Sequence, residues 1–324
     1  MIRFYFPFKF SLLKIITNII YNVCRKNKRK LTNVLIPFII FYYNILEFGG
    51  GFVEIIEQYI CGKSVLSVKN EDALLLTYDF IAVVDGVSAK NGRLFDGLTG
   101  GKMAADRVCA AVMLFDKNIS AKEAVEKITQ SVSELYQENE PKGAAAACAI
   151  IFSKARNEIW SVGDCQCLIN GELFSHEKEI DRINSDIRSL VLQIAKQEGK
   201  TEKELLENDV GRDFIMPILE KQHIFANKTG KFSYGVFNGE PVPDEHIVIH
   251  KVKSGDEIVL ASDGYPYLKE TLEESERLLK EELKNNPLCD GEYRSTKGKA
   301  EDNISFDDRT YIRFRVSESE PDMV

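Results

Sequence analysis

Apolar runs that end in aspartate constrain this chain more than any other feature. Phe80-Ile-Ala-Val-Val-Asp85 precedes Gly86, and Ile159-Trp-Ser-Val-Gly163-Asp164 follows the same plan. So does Glu257-Ile-Val-Leu-Ala-Ser-Asp263 before Gly264, and Asp307-Asp308 stands just ahead of the apolar run Thr310–Val316. A carboxylate at the end of a buried strand loses its hydration and needs a partner. Several carboxylates at one rim would repel one another and require a cation, and an all-oxygen donor set favours Mg²⁺ or Mn²⁺. A glycine after the aspartate lets the backbone turn sharply, so its own carbonyl can face the same ion. Any single Asp-Gly is an ordinary turn start. The ordered set, each member on an apolar strand, is not.

The segments between these aspartates alternate strands and helices. Ala73–Tyr78 and Phe80–Val84 read as a buried hairpin, and Lys102–Phe115 has helical composition. Ser120-x-x-Glu123 is a capping box before apolar residues at helical spacing, Ala124, Ile128, Val132 and Leu135. Strands are expected at Ala144–Phe152 and Glu158–Val162. Asn170-Gly171 should turn a tight hairpin between Cys165–Ile169 and Glu172–Phe174. Glu177 to about Glu220 is polar and helical, and strands return at Ile247–Val252 and Glu257–Ala261. A charged helix fills Lys269–Lys284, and Thr310–Val316 is the last strand. Strands paired by hairpins, with helices inserted in pairs, predict a layered α+β sandwich and not a Rossmann alternation.

Residues 1–52 do not belong with this pattern. They hold eight basic side chains and one acid, a net +7 within a chain of net −8, so residues 53–324 carry −15. A membrane-spanning helix needs about 20 mainly apolar residues, and the apolar stretches here are broken by Lys9, Lys14, Asn18, Asn22 and Pro37. Three readings compete: upstream AT-rich DNA read as protein, a membrane or surface anchor, or a folded extension. The segment is set aside from the fold. The acidic balance of the rest argues against a nucleic-acid partner. Seven scattered cysteines with no Cys-x-x-Cys pair argue for a reducing, cytoplasmic compartment, with membrane association only through residues 1–52. Cys165-x-Cys167 reads as core packing. His246 and His250 are expected on one strand face, solvated rather than metal-bound.

Over roughly residues 67–316 the ordered motifs resemble the metal-dependent protein phosphatases of the protein phosphatase 2C, or PPM, type, as a divergent member of bacterial appearance. Asn70-Glu71-Asp72 is similar to that family's opening acidic motif and Val84-Asp85-Gly86 to its first aspartate-glycine motif. Gly143-Ala144-Ala145-Ala146 resembles its small-residue strand start, and Ser161-Val162-Gly163-Asp164 its glycine-aspartate motif. Ala261-Ser262-Asp263-Gly264 and Asp307-Asp308-Arg309-Thr310 resemble the closing motifs.

The resemblance implies a four-layer α-β-β-α sandwich with a dinuclear metal site at one end of its central β-sandwich. It also implies a single catalytic domain over 53–324 with a helical flap-like insertion at about 177–235. Asp85 would bridge two Mn²⁺ or Mg²⁺ ions with the Gly86 carbonyl on one of them. Asp263 and Asp307 would complete the other, Glu71 and Asp72 would hold metal-bound waters, and Asp164 with Asp263 would serve a third, looser ion. The implied activity is hydrolysis of phosphoserine and phosphothreonine by a metal-activated water, in a monomer that acts on a phosphorylated protein and opposes a kinase. The sequence departs from the family at Ser67, where a phosphate-binding arginine is expected, so Lys69 and Lys90 become the candidate phosphate-binding cations. Val87-Ser88 replaces the family's usual residues after Asp85-Gly86, and no histidine acid stands there. Asp302-Asn303 also fits the last motif, but only Asp307 leads directly into a strand. These departures keep open the alternative of a catalytically weak, phosphoprotein-binding regulatory module.

Overall fold

The computed structural model describes residues 53–64, 70–88, 92–137, 140, 142–300 and 302–317. Residues 1–52, and with them every reading of that segment, lie outside the described residues.

Two five-stranded antiparallel sheets carry the molecule. The first has the order β1-β12-β11-β8-β9, built from Val53–Cys61 (β1), Gln166–Ile169 (β8), Glu172–Phe174 (β9), Glu257–Ala261 (β11) and Arg309–Val316 (β12). The second has the order β10-β7-β6-β3-β2, built from Ala73–Leu76 (β2), Phe80–Gly86 (β3), Ala147–Ser153 (β6), Glu158–Val162 (β7) and Val248–Lys251 (β10). A small hairpin, Leu94–Phe95 (β4) and Leu98–Thr99 (β5), stands apart from both. Side chains alternate across each strand, and the inward sets meet in one core. Ile81, Val83, Ile150 and Phe152 come from the second sheet, and Ile258, Leu260, Ile312 and Phe314 from the first. The Phe152 and Phe314 rings lie 5.0 Å apart, centroid to centroid. Cys165 and Cys167 are buried in the same core as free thiols, as packing requires.

Helices cover the outer faces. Gly100–Val112 (α1), capped by the Thr99 hydroxyl, packs on β2, β3 and β6, and Ala121–Ser133 (α2) packs on α1. The expected capping box of α2 is formed in both directions, Ser120 with Glu123. On the first sheet, Val259, Ala261 and Tyr311 point outward and are covered by Tyr265, Leu268 and Leu272. The polar stretch after β9 forms Glu179–Gln197 (α3), Glu202–Glu207 (α4) and Val210–Lys221 (α5). Leu272 begins the last helix, Leu272–Asn285 (α6), which Arg309 ties to the sheet through a two-pronged pair with Glu276 at 2.6 and 3.0 Å. Among the described residues, no helix is long and apolar enough to cross a membrane.

Asn170 and Gly171 both have positive φ, 50° and 84°, as a two-residue hairpin with the strands' twist demands. The sequence pattern marks no strand at β1, because its side chains are only partly buried and its partner β12 lies at the other end of the described chain. One expectation is corrected. His246 and His250 do not share a strand. A short 3₁₀ turn, Asp244–His246, precedes β10, where the His246 ring meets the Lys228 carbonyl and His250 instead packs on Phe174.

Candidate active site

The antiparallel pairings bring four aspartates to one place. β3 and β7 both pair with β6, so Asp85 at the end of β3 and Asp164 just past β7 share one end of the second sheet. Asp263 just past β11 and Asp307 just before β12 share an end of the first, because those strands are antiparallel neighbours. All four line a single cavity of about 660 Å³, with Gly86 on its wall. A methyl group on Gly86 would come within 2.5 Å of the Glu71 carbonyl and 2.6 Å of the Gly101 carbonyl. Only glycine lets the end of β3 sit between those two backbones.

Glu71 and Asp72 stand behind the cavity. Asp72 Oδ2 accepts hydrogen bonds from Ser262 Oγ (2.7 Å) and Thr310 Oγ1 (2.9 Å), while its Oδ1 is buried without a partner. Burial, aided by Asp308 and Asp307, pushes its carboxyl up to about 7 against those two hydrogen bonds. Glu71 accepts from the Ser88 hydroxyl. Asp308 braces the backbone here, because its two oxygens accept from the N–H groups of Lys63 (2.7 Å) and Glu71 (3.0 Å).

The cavity carboxylates divide into two kinds. Among the described residues the carboxylates of Asp85 and Asp263 have no side-chain hydrogen bond and no ion pair within 4 Å, though Lys178 and Lys297 act on them from further off. Burial first, and then neighbouring aspartates, push both well above the ordinary carboxylate range. Asp307 and Asp164 are paired. Lys63 Nζ lies 3.2 Å from Asp307 Oδ1, and the Lys297 ammonium meets Oδ2. Burial alone would raise the Asp307 carboxyl, but Lys297 and Lys63 outweigh it and hold the group at about 2. Lys178 Nζ lies 2.6 Å from Asp164 Oδ2 and, against burial, keeps that carboxyl below its usual value.

Two unpaired carboxylates, the orphaned Asp72 Oδ1 and Asp164 Oδ1, and a donor set of oxygen alone suit a hard divalent cation. Among the described residues, however, no three His, Cys, Asp or Glu side chains converge as a ready-made metal cluster. Ammonium groups neutralise Asp307 and Asp164 in this arrangement.

Of the residues expected from sequence, Asp85, Gly86, Asp164, Asp263 and Asp307 come together. Asp302 is exposed and does not line the cavity. Ser67, Lys69 and Lys90 lie outside the described residues. The sequence reading missed Lys63, Lys178 and Lys297. Its one available signal was the charge of the aspartate set itself, which demands cations from somewhere in the chain.

No protein-family model matches the chain, and comparison with curated proteins finds no relative. Among solved structures it is similar to several serine/threonine phosphatases and to RsbX. One is the catalytic domain of the serine/threonine protein phosphatase PstP in complex with two manganese ions: TM-score 0.45, 15% identity, 82% of this chain and 99% of that one. Another is the Mycobacterium tuberculosis serine/threonine phosphatase PstP/Ppp: TM-score 0.44, 17% identity, 83% and 100% covered. A third is RsbX in complex with magnesium: TM-score 0.42, 13% identity, 83% and 97% covered. At such identities the function has to be read from the site itself.

Proposed function

We propose that residues 53–324 form one catalytic domain, a divalent-metal-dependent phosphatase of phosphoserine and phosphothreonine in proteins. One observation carries the reading: four strand-end aspartates line one cavity, and two of them stand in no ion pair among the described residues. The finer architecture belongs to the same proposal, a four-layer α-β-β-α sandwich with the site at one end of its paired sheets.

Asp85, the Gly86 carbonyl, Asp263 and Asp307 would hold two Mn²⁺ or Mg²⁺ ions, with Asp164 serving a third. Such ions supply activation of a water and neutralisation of charge on phosphoryl oxygens. Asp72, held by Ser262 and Thr310, and Glu71, held by Ser88, fix the polar wall behind them. Neither Val87 nor Ser88 offers a histidine-like acid to the leaving group. The insertion over 177–235 forms the flank where a protein substrate would lie, since Glu177, Lys178, Asp181, Arg182, Ser185 and Asp186 border the cavity.

The test is phosphate release from phosphoserine and phosphothreonine peptides by the full chain, with Mn²⁺ and with chelator. The reading requires turnover that chelation abolishes and Mn²⁺ restores. Turnover indifferent to chelator, or none at saturating Mn²⁺, would sink it. A second reading, a phosphoprotein-binding module without turnover, is favoured by the lysines already seated on Asp307 and Asp164. Phosphopeptide binding without hydrolysis is its signature.

A further inference from the structure

Four cations line the cavity, Lys178, Arg182, Arg294 and Lys297. Arg182 pairs with Glu179 (2.9 Å) and Asp186 (3.2 Å), and Arg294 with Asp186 (2.6 Å). Lys178 is nearly enclosed, 2.6 Å from Asp164 and 3.9 Å from Asp181. Lys297 differs in where it sits: its ammonium pairs with Asp307 and also acts on Asp263 from further off, both proposed metal ligands. Lys63, on the other oxygen of Asp307, is also shared by Asp308 (3.4 Å) and Glu71 (3.9 Å) and does not line the cavity.

The backbone that carries Lys297 is held from the helical insertion. Arg188, fully buried in α3, donates to the carbonyls of Ser295 (2.9 Å) and Cys289 (3.3 Å), and Arg212 of α5 donates to the Thr296 carbonyl. The loop is thus anchored at the two residues before Lys297, while the ammonium at its tip meets only side-chain carboxylates of the cavity.

We propose that Lys297 is the phosphate-binding cation of this site, parked on Asp307 until a divalent ion takes that carboxylate. This rests on the phosphatase reading. With a divalent ion held at Asp307, the Lys297 ammonium would be repelled by the like charge, and its long flexible stem would let it reach a phosphoryl dianion in the cavity. Lys297 therefore opposes metal binding and favours phosphate binding, two effects of opposite sign from one side chain. A lysine that only braced Asp307 would produce the first effect and not the second.

The experiment uses the full chain and two titrations, Mn²⁺ alone, then inorganic phosphate with Mn²⁺ saturating. Lys297→Gln should bind Mn²⁺ about tenfold more tightly, as the competing ammonium is lost. It should bind phosphate about tenfold more weakly, the loss of one charge-assisted hydrogen bond. Lys297→Arg should restore phosphate affinity. In turnover, Lys297→Gln should raise KM for a phosphopeptide more than it lowers kcat. Unchanged phosphate affinity in Lys297→Gln, with the wild type binding Mn²⁺ normally, overturns the inference and leaves the phosphatase reading intact. Failure of the wild type to bind Mn²⁺ overturns both.

Discussion

Lys178 Nζ lies 2.6 Å from Asp164 Oδ2, and the other oxygen of the same carboxylate is buried without a partner. Lys178 is thus the ion-pair partner of this carboxylate. Removing one member leaves the other as a buried charge, which costs on the order of 3–5 kcal/mol. Asp164→Asn should lower the denaturant midpoint markedly, and Lys178→Met/Asp164→Asn should recover much of the loss. The Asp164 carboxyl is depressed and the Lys178 ammonium raised. The pair's stabilisation is thus present at neutral pH and is lost on either side: as pH falls through the depressed Asp164 value, and as it rises through the raised Lys178 value. Equal midpoints for the single and double variants would show that the pair is not coupled.

The unpaired carboxylates act with the opposite sign. Asp85, Asp263 and Asp72 have raised values in the folded chain, so the folded state binds more protons than the unfolded one above the ordinary carboxylate range near pH ~4. In chelator, the melting temperature should therefore rise as pH is lowered from about 7 toward about 5. His250, held below its usual value by burial and by His176, opposes this in the same window and limits the gain. Mn²⁺ should flatten the profile, and Asp85→Asn or Asp263→Asn should each remove part of it while abolishing metal-dependent turnover. A metal-free melting temperature that falls steadily over that range would contradict the account.

Asp307 and Asp302 make a direct comparison. Asp307 lines the cavity between Lys63 and Lys297, whereas Asp302 is exposed outside it. By titration calorimetry, Asp307→Ala should weaken Mn²⁺ binding at least about tenfold, the scale of one lost charge-assisted contact. Asp302→Ala should leave it within about twofold, since single exposed charges contribute little. A larger effect at Asp302 would move the ligand upstream.

How much of this was legible in the sequence follows from how local each signal is. β3, β7 and β11 announce themselves as apolar runs, α2 by its capping box and the β8–β9 turn by Asn170-Gly171, all within a few residues. The aspartates at the cavity were readable for the same reason, since each is attached to such a run. The cations were not. Lys63 reaches Asp307 across 244 positions, and nothing beside Lys63 marks it. β1 was hidden likewise: its Glu54 and Glu57 look like solvent residues until β12 supplies Arg315 and Arg313 at 3.3 Å each.

Arg188 offers the last test, because it joins the helical insertion to the loop that carries Lys297. Its guanidinium pairs with Asp209 at 2.6 Å and donates to the Cys289 and Ser295 carbonyls. Around it Ser189 donates to the Asp290 carbonyl at 2.6 Å, and Lys196 meets the Asp290 carboxylate at 2.7 Å. Arg188→Met keeps much of the volume and removes every donor, so the Ser295 carbonyl loses its side-chain partner, while the Cys289 carbonyl keeps only the Ser295 N–H and the Asp209 carboxylate only the Arg212 N–H. The cost should be on the order of 3 kcal/mol, read as a lower denaturant midpoint. Hydrogen exchange should quicken selectively at 289–297 and in α3, while the β3–β6 pairing keeps its protection. Uniform loss of protection across both sheets would show instead that Arg188 supports the whole core and not this one joint.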